Sequence, residues 1–378
     1  MARAPKPREI VEDEPLPEAD CLPGMPHPRH TRRLIGQQAA ERTVLDAFGS
    51  GRMHHGWLLT GPAGVGKATL AYGLARYVLA RPHERRPGSL EVPPESSAAR
   101  QVGALSHPGL LLIRRTCDPK TRRFSQTIPV DEVRRLKAFL GHTAEAGSWR
   151  VVIVDAADEM NASAANALLK SLEEPPPRGL FLLISSEPGR LLPTIRSRCR
   201  TLELPPLAPD AVRQAATAAL GAAEATPPAD ADWPKLLRLA EGSVRKLLFL
   251  TQTGGLELHE QAFRLLSLLP KVDWPAVHAL GEDLTSAQAG DRFETFYALL
   301  LDLLARLIRA GTGVADAANA DELQLAQRLM RPAALASWAA LWETIVREKA
   351  KALAINLDRK SLILETVIRL QELARAQA

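Results

Sequence analysis

The stretch GPAGVGKATL, Gly61 to Leu70, constrains the fold more than any other part of this chain. Gly61, Gly64 and Gly66 ahead of Lys67 form a phosphate-loop pattern, in which glycines let backbone N–H groups turn inward around phosphates and lysine adds a mobile charge. Such a loop works between a strand and a helix whose positive end faces the anion. The flanks meet that condition: GWLLT reads as a short strand and ATLAYGLARYVL as a helix. Beyond the loop come a strand LLLIRR (110–115), a helix DEVRRLKAFL from Asp131, a strand RVVIVDAA from Arg150, a helix SAANALLKSLEE from Ser163 and a strand GLFLLISS from Gly179. Strands that alternate with helices and are apolar on both faces predict a parallel sheet covered on both sides.

After Pro206 the strand signal stops, and the remainder reads as helices with breaks at ATPPADADWP, TGGLEL, LPKVDWP and RAGTGVADAANA. With 378 residues, 46% of them hydrophobic, the chain can build two or three cores without disulfide or metal staples. We expect an arm over 1–28, too rich in proline and too poor in periodic apolar residues to order. An α/β nucleotide-binding domain follows over 29–206, then a small helical domain over 207–255 and a larger one over 256–378. The region 81–109 is expected to be loop. Cys21, Cys117 and Cys199 are far apart and show no CxxC spacing, so neither a disulfide framework nor a zinc site is encoded, and a reducing cytoplasm is expected. The run FYALLLDLLARLI, broken by Asp302 and Arg306, is too short for a bilayer and reads as a packed helix, so no membrane partner is expected. The net charge of +5 is only a mild lean toward anionic partners.

The chemistry is incomplete in two places. A phosphate loop that hydrolyses nucleotide has Ser or Thr after its lysine as a magnesium ligand, and Ala68 stands there. Thr69 is about 100° further around the helix, so its hydroxyl does not replace that ligand. VVIVD ends in Asp155, suited to holding magnesium through water; in hydrolysing members of the class this site resembles, the next residue is a water-activating glutamate, and here it is Ala156. Asp158 and Glu159 are nearby carboxylates that begin the next turn and helix, read as a cap or solvated charge, with a surrogate base as the alternative. Arg198, in the Ser197-Arg198-Cys199 turn, is either a surface charge or an arginine that reaches a neighbour's phosphates. Arg245, in GSVRKLL, stands at a helix start from which it can reach back to a nucleotide, and Ser185 and Ser186 end a strand, either as plain turn formers or, by resemblance to related nucleotide-binding chains, as a small polar sensor of the terminal phosphate. Arg122, Arg123, Arg134, Arg135 and Lys137 form either a DNA-facing or a solvated basic group. Trp338, Trp342, Ile345 and Val346 recur at helical spacing, for core or subunit packing.

Together, HHGWLLTGPAGVGKATLA, WRVVIVDAADEMNASAANALLKSLEEPP, FLLISSEPGRLLPTIRSRCR, GSVRKLL and NLDRKSLILE resemble the AAA+ clamp-loader family of bacteria, over residues of about 29 to 375. LLKSLEEPP and SRC are the most specific marks. The resemblance implies an α/β plus all-α chain: an AAA+ domain, a helical lid and a helical collar in a hetero-pentameric ring with tau/gamma-type motor and delta-type subunits. It implies a stator that lends Arg198 in trans to a motor's ATP site while the ring places a sliding clamp on primed DNA. Gly61, Gly64, Gly66, Lys67, Thr69, Asp155 and Arg245 are then the nucleotide-binding residues, holding ATP or ADP without hydrolysis. Many relatives carry a four-cysteine zinc module near 81–108; this chain has no cysteine there, so no zinc is expected. Two other readings are an autonomous ATPase motor and a DNA-binding scaffold with a relic loop. We see no candidate nucleotidyl-transfer site.

Overall fold

The computed structural model describes residues 16–141, 148–286, 289–313, 319–354 and 358–377. The chain divides into two compact units, 1–248 and 249–378.

The first unit is built on a five-stranded parallel sheet of β1 (Gly56–Thr60), β2 (Leu110–Arg114), β3 (Arg150–Asp155), β4 (Gly179–Ser185) and β5 (Arg200–Glu203), in the order β2-β3-β4-β1-β5. Alternation along the strands sends side chains into two cores. Trp57, Leu59, Ile153, Leu182 and Ile184 pack with residues of α1 (Gln38–Gly49), α2 (Lys67–Leu79) and α3 (Ser97–Gly103). Leu58, Val152, Val154, Phe181 and Leu183 pack with α4 (Val130–Gly141), α5 (Ala162–Glu173) and α6 (Pro193–Arg196). The four expected strands are present. β5 is one the sequence did not announce, because only Leu202 of RTLE is buried and the strand pairs along one side alone, with β1. Helix α3 likewise lies inside the stretch expected to be loop; Ser96 caps it by accepting from the Ala99 N–H, and Ala98 and Val102 anchor it.

Residues 16–28 differ from the expected arm. Charge, not apolar area, orders them. Arg114 on β2 holds Asp20 (2.5 Å) and Glu18 (3.1 Å), Arg29 also pairs with Glu18, and Leu22 is buried. The buried Arg76 of α2 donates to the carbonyls of Arg29 (2.6 Å) and Thr31 (2.7 Å). Residues 1–15 of that arm lie outside the described residues.

Helices α7 (Pro209–Ala222), α8 (Trp233–Ala240) and the start of α9 (Val244–Thr253) belong to the first unit, so the helical segment from 207 to 248 groups with the sheet. Leu207 N–H donates to the Gly242 carbonyl (3.0 Å), and a Cβ on Gly242 would stand 2.7 Å from that same nitrogen. Glycine is the residue this close approach admits.

The second unit is helical: α10 (Gly255–Leu268), α11 (Trp274–Thr285), α12 (Arg292–Gly311), α13 (Ala320–Leu329), α14 (Leu335–Ala354) and α15 (Arg359–Ala376). α12 packs against α10, α13 and α14 and carries FYALLLDLLARLI as the expected packed helix. The arginine that interrupts that run, Arg306, is buried and paired with Glu322 (3.2 Å). Trp338 and Ile345 are core residues, Trp342 donates its indole N–H to the Leu301 carbonyl (3.0 Å), and Val346 is exposed. Among the described residues no helix is long and apolar enough to cross a membrane.

Candidate functional site

The loop leaves β1 at Thr60 and enters α2 at Lys67, with Gly61, Gly64 and Gly66 all at positive φ. At Gly61 the need for glycine is steric as well, since a Cβ there would lie 2.1 Å from the Leu204 carbonyl oxygen. The first intrahelical bond of α2 runs from Leu70 N–H to the Gly66 carbonyl, which leaves the amides of Lys67, Ala68 and Thr69 for an anion. Lys67 is buried and folded back on the loop. Its ammonium donates to the carbonyls of Gly61 and Pro62 (2.7 Å each) and to the Ser186 hydroxyl (3.0 Å), and burial lowers its pKa to about 8. Of the two serines at the end of β4, Ser186 is thus the one that meets the lysine; Ser185 is fully buried.

The start of α9 presses on the same loop. The Ser243 hydroxyl donates to the Ala63 carbonyl (2.7 Å) and accepts from Lys246 N–H (3.1 Å), so it caps the helix and ties it to the loop at once. Val244 N–H donates to the Gly64 carbonyl (3.0 Å), and a Cβ on Gly64 would meet Ser243 Oγ at 2.4 Å and Arg245 Cβ at 2.5 Å. Arg245 is therefore at the phosphate loop, and its charge acts on Asp155.

Asp155 ends β3. Burial, then the Asp20 carboxylate, push its pKa up to about 7, against the pull of Lys67. Ala68 and Ala156 supply no ligand or base beside it. Asp158 accepts from Glu187 N–H (3.2 Å) and Glu159 pairs with Arg115 (2.7 Å), so both carboxylates are engaged in holding the turn. The loop and its amides fit the phosphates of a nucleotide. Position 68 does not fit its metal.

Arg198 lies at the other end of the sheet. Its carbonyl is 3.4 Å from where a Cβ on Gly56, the first residue of β1, would stand, whereas the phosphate loop follows the last residue of that strand. About five residues of strand, roughly 16 Å, separate the two. Arg198 is half-buried, donates to the Thr194 carbonyl (3.0 Å) and pairs with Glu173 (2.7 Å). Of the basic group, Arg134 and Arg135 pair with Asp131 (2.8 Å) and Glu132 (2.5 Å) on their own helix.

Sequence reasoning missed the cluster of Glu18, Asp20 and His27, whose ligand atoms lie within 4.8 Å of one another. Its chemistry is that of a clasp rather than a metal site. His27 Nδ1 accepts from Arg29 N–H (3.0 Å), and Nε2 lies 2.9 Å from the Asp20 carboxylate. A metal there would face the guanidiniums of Arg29 and Arg114, which already engage Glu18 and Asp20. Although burial pushes Asp20 up, His27 and Arg114 hold it at about 2. The only sequence signal was the interleaving of acids with His27 and Arg29.

A family model described as DNA polymerase III, delta subunit, matches residues 36–208. DNA polymerase III subunit delta' of Escherichia coli (strain K12) is 31% identical over 330 residues, 87% of this chain and 92% of that protein. The chain belongs to the DNA polymerase III delta' family. The Pseudomonas aeruginosa delta' subunit is 42% identical over 145 residues, 38% of this chain and 41% of that protein. A DNA polymerase III subunit gamma/tau of Mycobacterium bovis is 28% identical over 285 residues, 70% of this chain and 44% of that protein. The chain thus spans less than half the length of the Pseudomonas delta' and Mycobacterium gamma/tau relatives, and nearly the full length of the Escherichia delta' subunit. The motifs and the match agree on the family, and the parallel sheet with its helical remainder is the fold class those motifs implied.

Proposed function

We propose that this delta'-family chain is the stator of a clamp loader. It completes the ATP site of an adjacent gamma/tau-type motor subunit with Arg198 and does not turn over ATP at its own loop. In this reading 207–255 is the lid and 256–378 the collar, and the chain works in the cytoplasm. The ring also holds a delta-type subunit and loads a sliding clamp onto primed DNA. The observation that carries the reading is the separation of parts on one sheet: a half-buried arginine in the turn beside the first residue of β1, and after the last residue of that strand a phosphate loop with Ala68 and Ala156 at the metal and base positions. An arginine on the far side of the sheet serves a second subunit's phosphates, not its own.

Gly61, Gly64, Gly66, Lys67, Thr69, Asp155 and Arg245 would hold a nucleotide here, which supplies only phosphates for the cradle to bind. Lys67 must first leave the carbonyls of Gly61 and Pro62. The test is ATP turnover by the purified chain with magnesium and primed DNA. We expect none above background, together with stimulation of turnover when the chain is added to motor and delta-type subunits. Multiple turnover by the chain alone would overturn the reading in favour of an autonomous motor.

A further inference from the structure

We propose that Glu173 is the positioning residue for Arg198. The inference rests on the trans-acting role of Arg198 proposed above.

Glu173 is the last residue of α5, followed by Glu174 and three prolines that end the helix. Carboxylates at a helix C-terminus sit against the negative end of the macrodipole, a cost of about 0.3–1 kcal/mol each unless a cation answers them. At Glu173 the cation is Arg198: Oε1 accepts from Nη2 at 2.7 Å. The other terminal nitrogen, Nη1, donates to the Thr194 carbonyl at 3.0 Å, in the first turn of α6. Nη1 also donates to the Ser197 hydroxyl at 3.5 Å, so the guanidinium is held by Glu173 on one side and by the α6 turn on the other, which leaves its Nε–H and the second Nη2 hydrogen for an incoming oxyanion.

The turn beneath it is equally fixed. The Ser197 hydroxyl donates to the Thr194 carbonyl (3.1 Å), and the Cys199 thiol is packed where a Cβ on Gly56 would come within 3.2 Å of its sulfur and 3.5 Å of Leu172. Burial pushes that thiol up to about 11, so it is a neutral, apolar anchor at neutral pH. Leu172 and Glu173 are consecutive: one end of α5 both seats the turn and orients the arginine. Before a neighbour arrives, Glu173 thus pre-sets a long side chain that would otherwise lose rotamer freedom at the moment of contact. Misplacement of a reacting group by an ångström costs up to about a hundredfold in rate, and a residue that prevents it acts on kcat.

The experiment is steady-state ATP hydrolysis by the complete reconstituted ring, stimulated by clamp and primed DNA, with wild-type chain, Glu173→Gln, Glu173→Asp, Arg198→Ala and the Arg198→Ala/Glu173→Gln double variant. Ring assembly and the urea midpoint of each chain are measured alongside. We expect Glu173→Gln to lower kcat by about tenfold with KM for ATP within about twofold, Glu173→Asp to recover part of the loss, and the double variant to be no slower than Arg198→Ala. Unchanged kcat in Glu173→Gln, or additive losses in the double variant, with Arg198→Ala itself impaired, would overturn the positioning role alone. Full activity of Arg198→Ala would overturn the trans-acting arginine and this proposal with it.

Discussion

Replacing Arg85 with alanine removes the fastening of the loop that follows α2. Its guanidinium donates from Nε to the Tyr77 carbonyl (2.9 Å) and from Nη2 to the carbonyls of Val78 (3.0 Å) and Ala80 (2.8 Å), the last turn of α2. It also lies over the rings of Phe48 (4.9 Å) and Tyr77 (5.7 Å). A cation on terminal helix carbonyls is worth about 0.3–1 kcal/mol from the dipole, half-exposed cation–π contact about 0.5–1, and each hydrogen bond about 0.5–1.5. The terms overlap, and water takes over part of the carbonyl bonding in the variant, so we expect a net loss of ~2–3 kcal/mol. For a unit of this size that lowers Tm by roughly 4–12 °C. Arg85→Lys keeps the charge but not the fork and should recover less than half. Calorimetry or urea unfolding followed by circular dichroism reads both. A loss under about 0.5 kcal/mol for Arg85→Ala would refute the claim that this side chain pins the loop.

Asp155 titrates near 7 when folded and near 3.8 when unfolded, so between those values the folded state binds more protons and stability falls as pH rises. The difference corresponds to about 4 kcal/mol at pH 8. Asp155→Asn should therefore stabilise the chain there by ~2 kcal/mol, because Lys67 loses a supporting carboxylate, and by less than half as much at pH 5. A gain that does not change with pH, or a loss at pH 8, contradicts the burial argument. In the second unit, Glu322 is fully buried and binds Arg306 through both Nε (3.2 Å) and Nη2 (3.3 Å). Glu322→Gln should cost about 3 kcal/mol or more in urea unfolding, while Arg306→Met with Glu322→Leu should stay within about 1 kcal/mol of wild type.

The sheet was legible because buried parallel strands announce themselves: GWLLT and GLFLLIS are buried throughout, as are the four central residues of RVVIVD, and the loop glycines fixed where β1 ends. β5 was not, since RTLE buries one side chain, and α3 was not, since seven residues amid prolines carry too little periodicity. The ordering of residues 16–28 escaped for a different reason. It depends on Arg76 and Arg114, about fifty to a hundred positions away, and composition registers apolar area, not long-range ion pairs. At the site, Lys67 bonds the Gly61 carbonyl and Arg245 adjoins Gly64. The bonds from Ser243 and Val244 to the loop did not show in the sequence, because a capping serine looks the same whether or not it also donates across the fold. Glu173 was visible only as part of LLKSLEEPP; its partner twenty-five residues on emerges from the packing of α5 against the turn after α6.

The most direct test of the trans-acting arginine is clamp- and DNA-stimulated ATP hydrolysis by the complete ring built with Arg198→Ala, with assembly checked by gel filtration. Loss of one transition-state contact to transferring phosphate predicts a fall in the neighbouring site's kcat of about a thousandfold, diluted in the total rate by motor sites that this chain does not touch. A site-resolved single-turnover measurement exposes the full effect. Unchanged turnover at the adjoining site, in a ring that assembles normally, would contradict the account and leave Arg198 a surface charge held by Glu173.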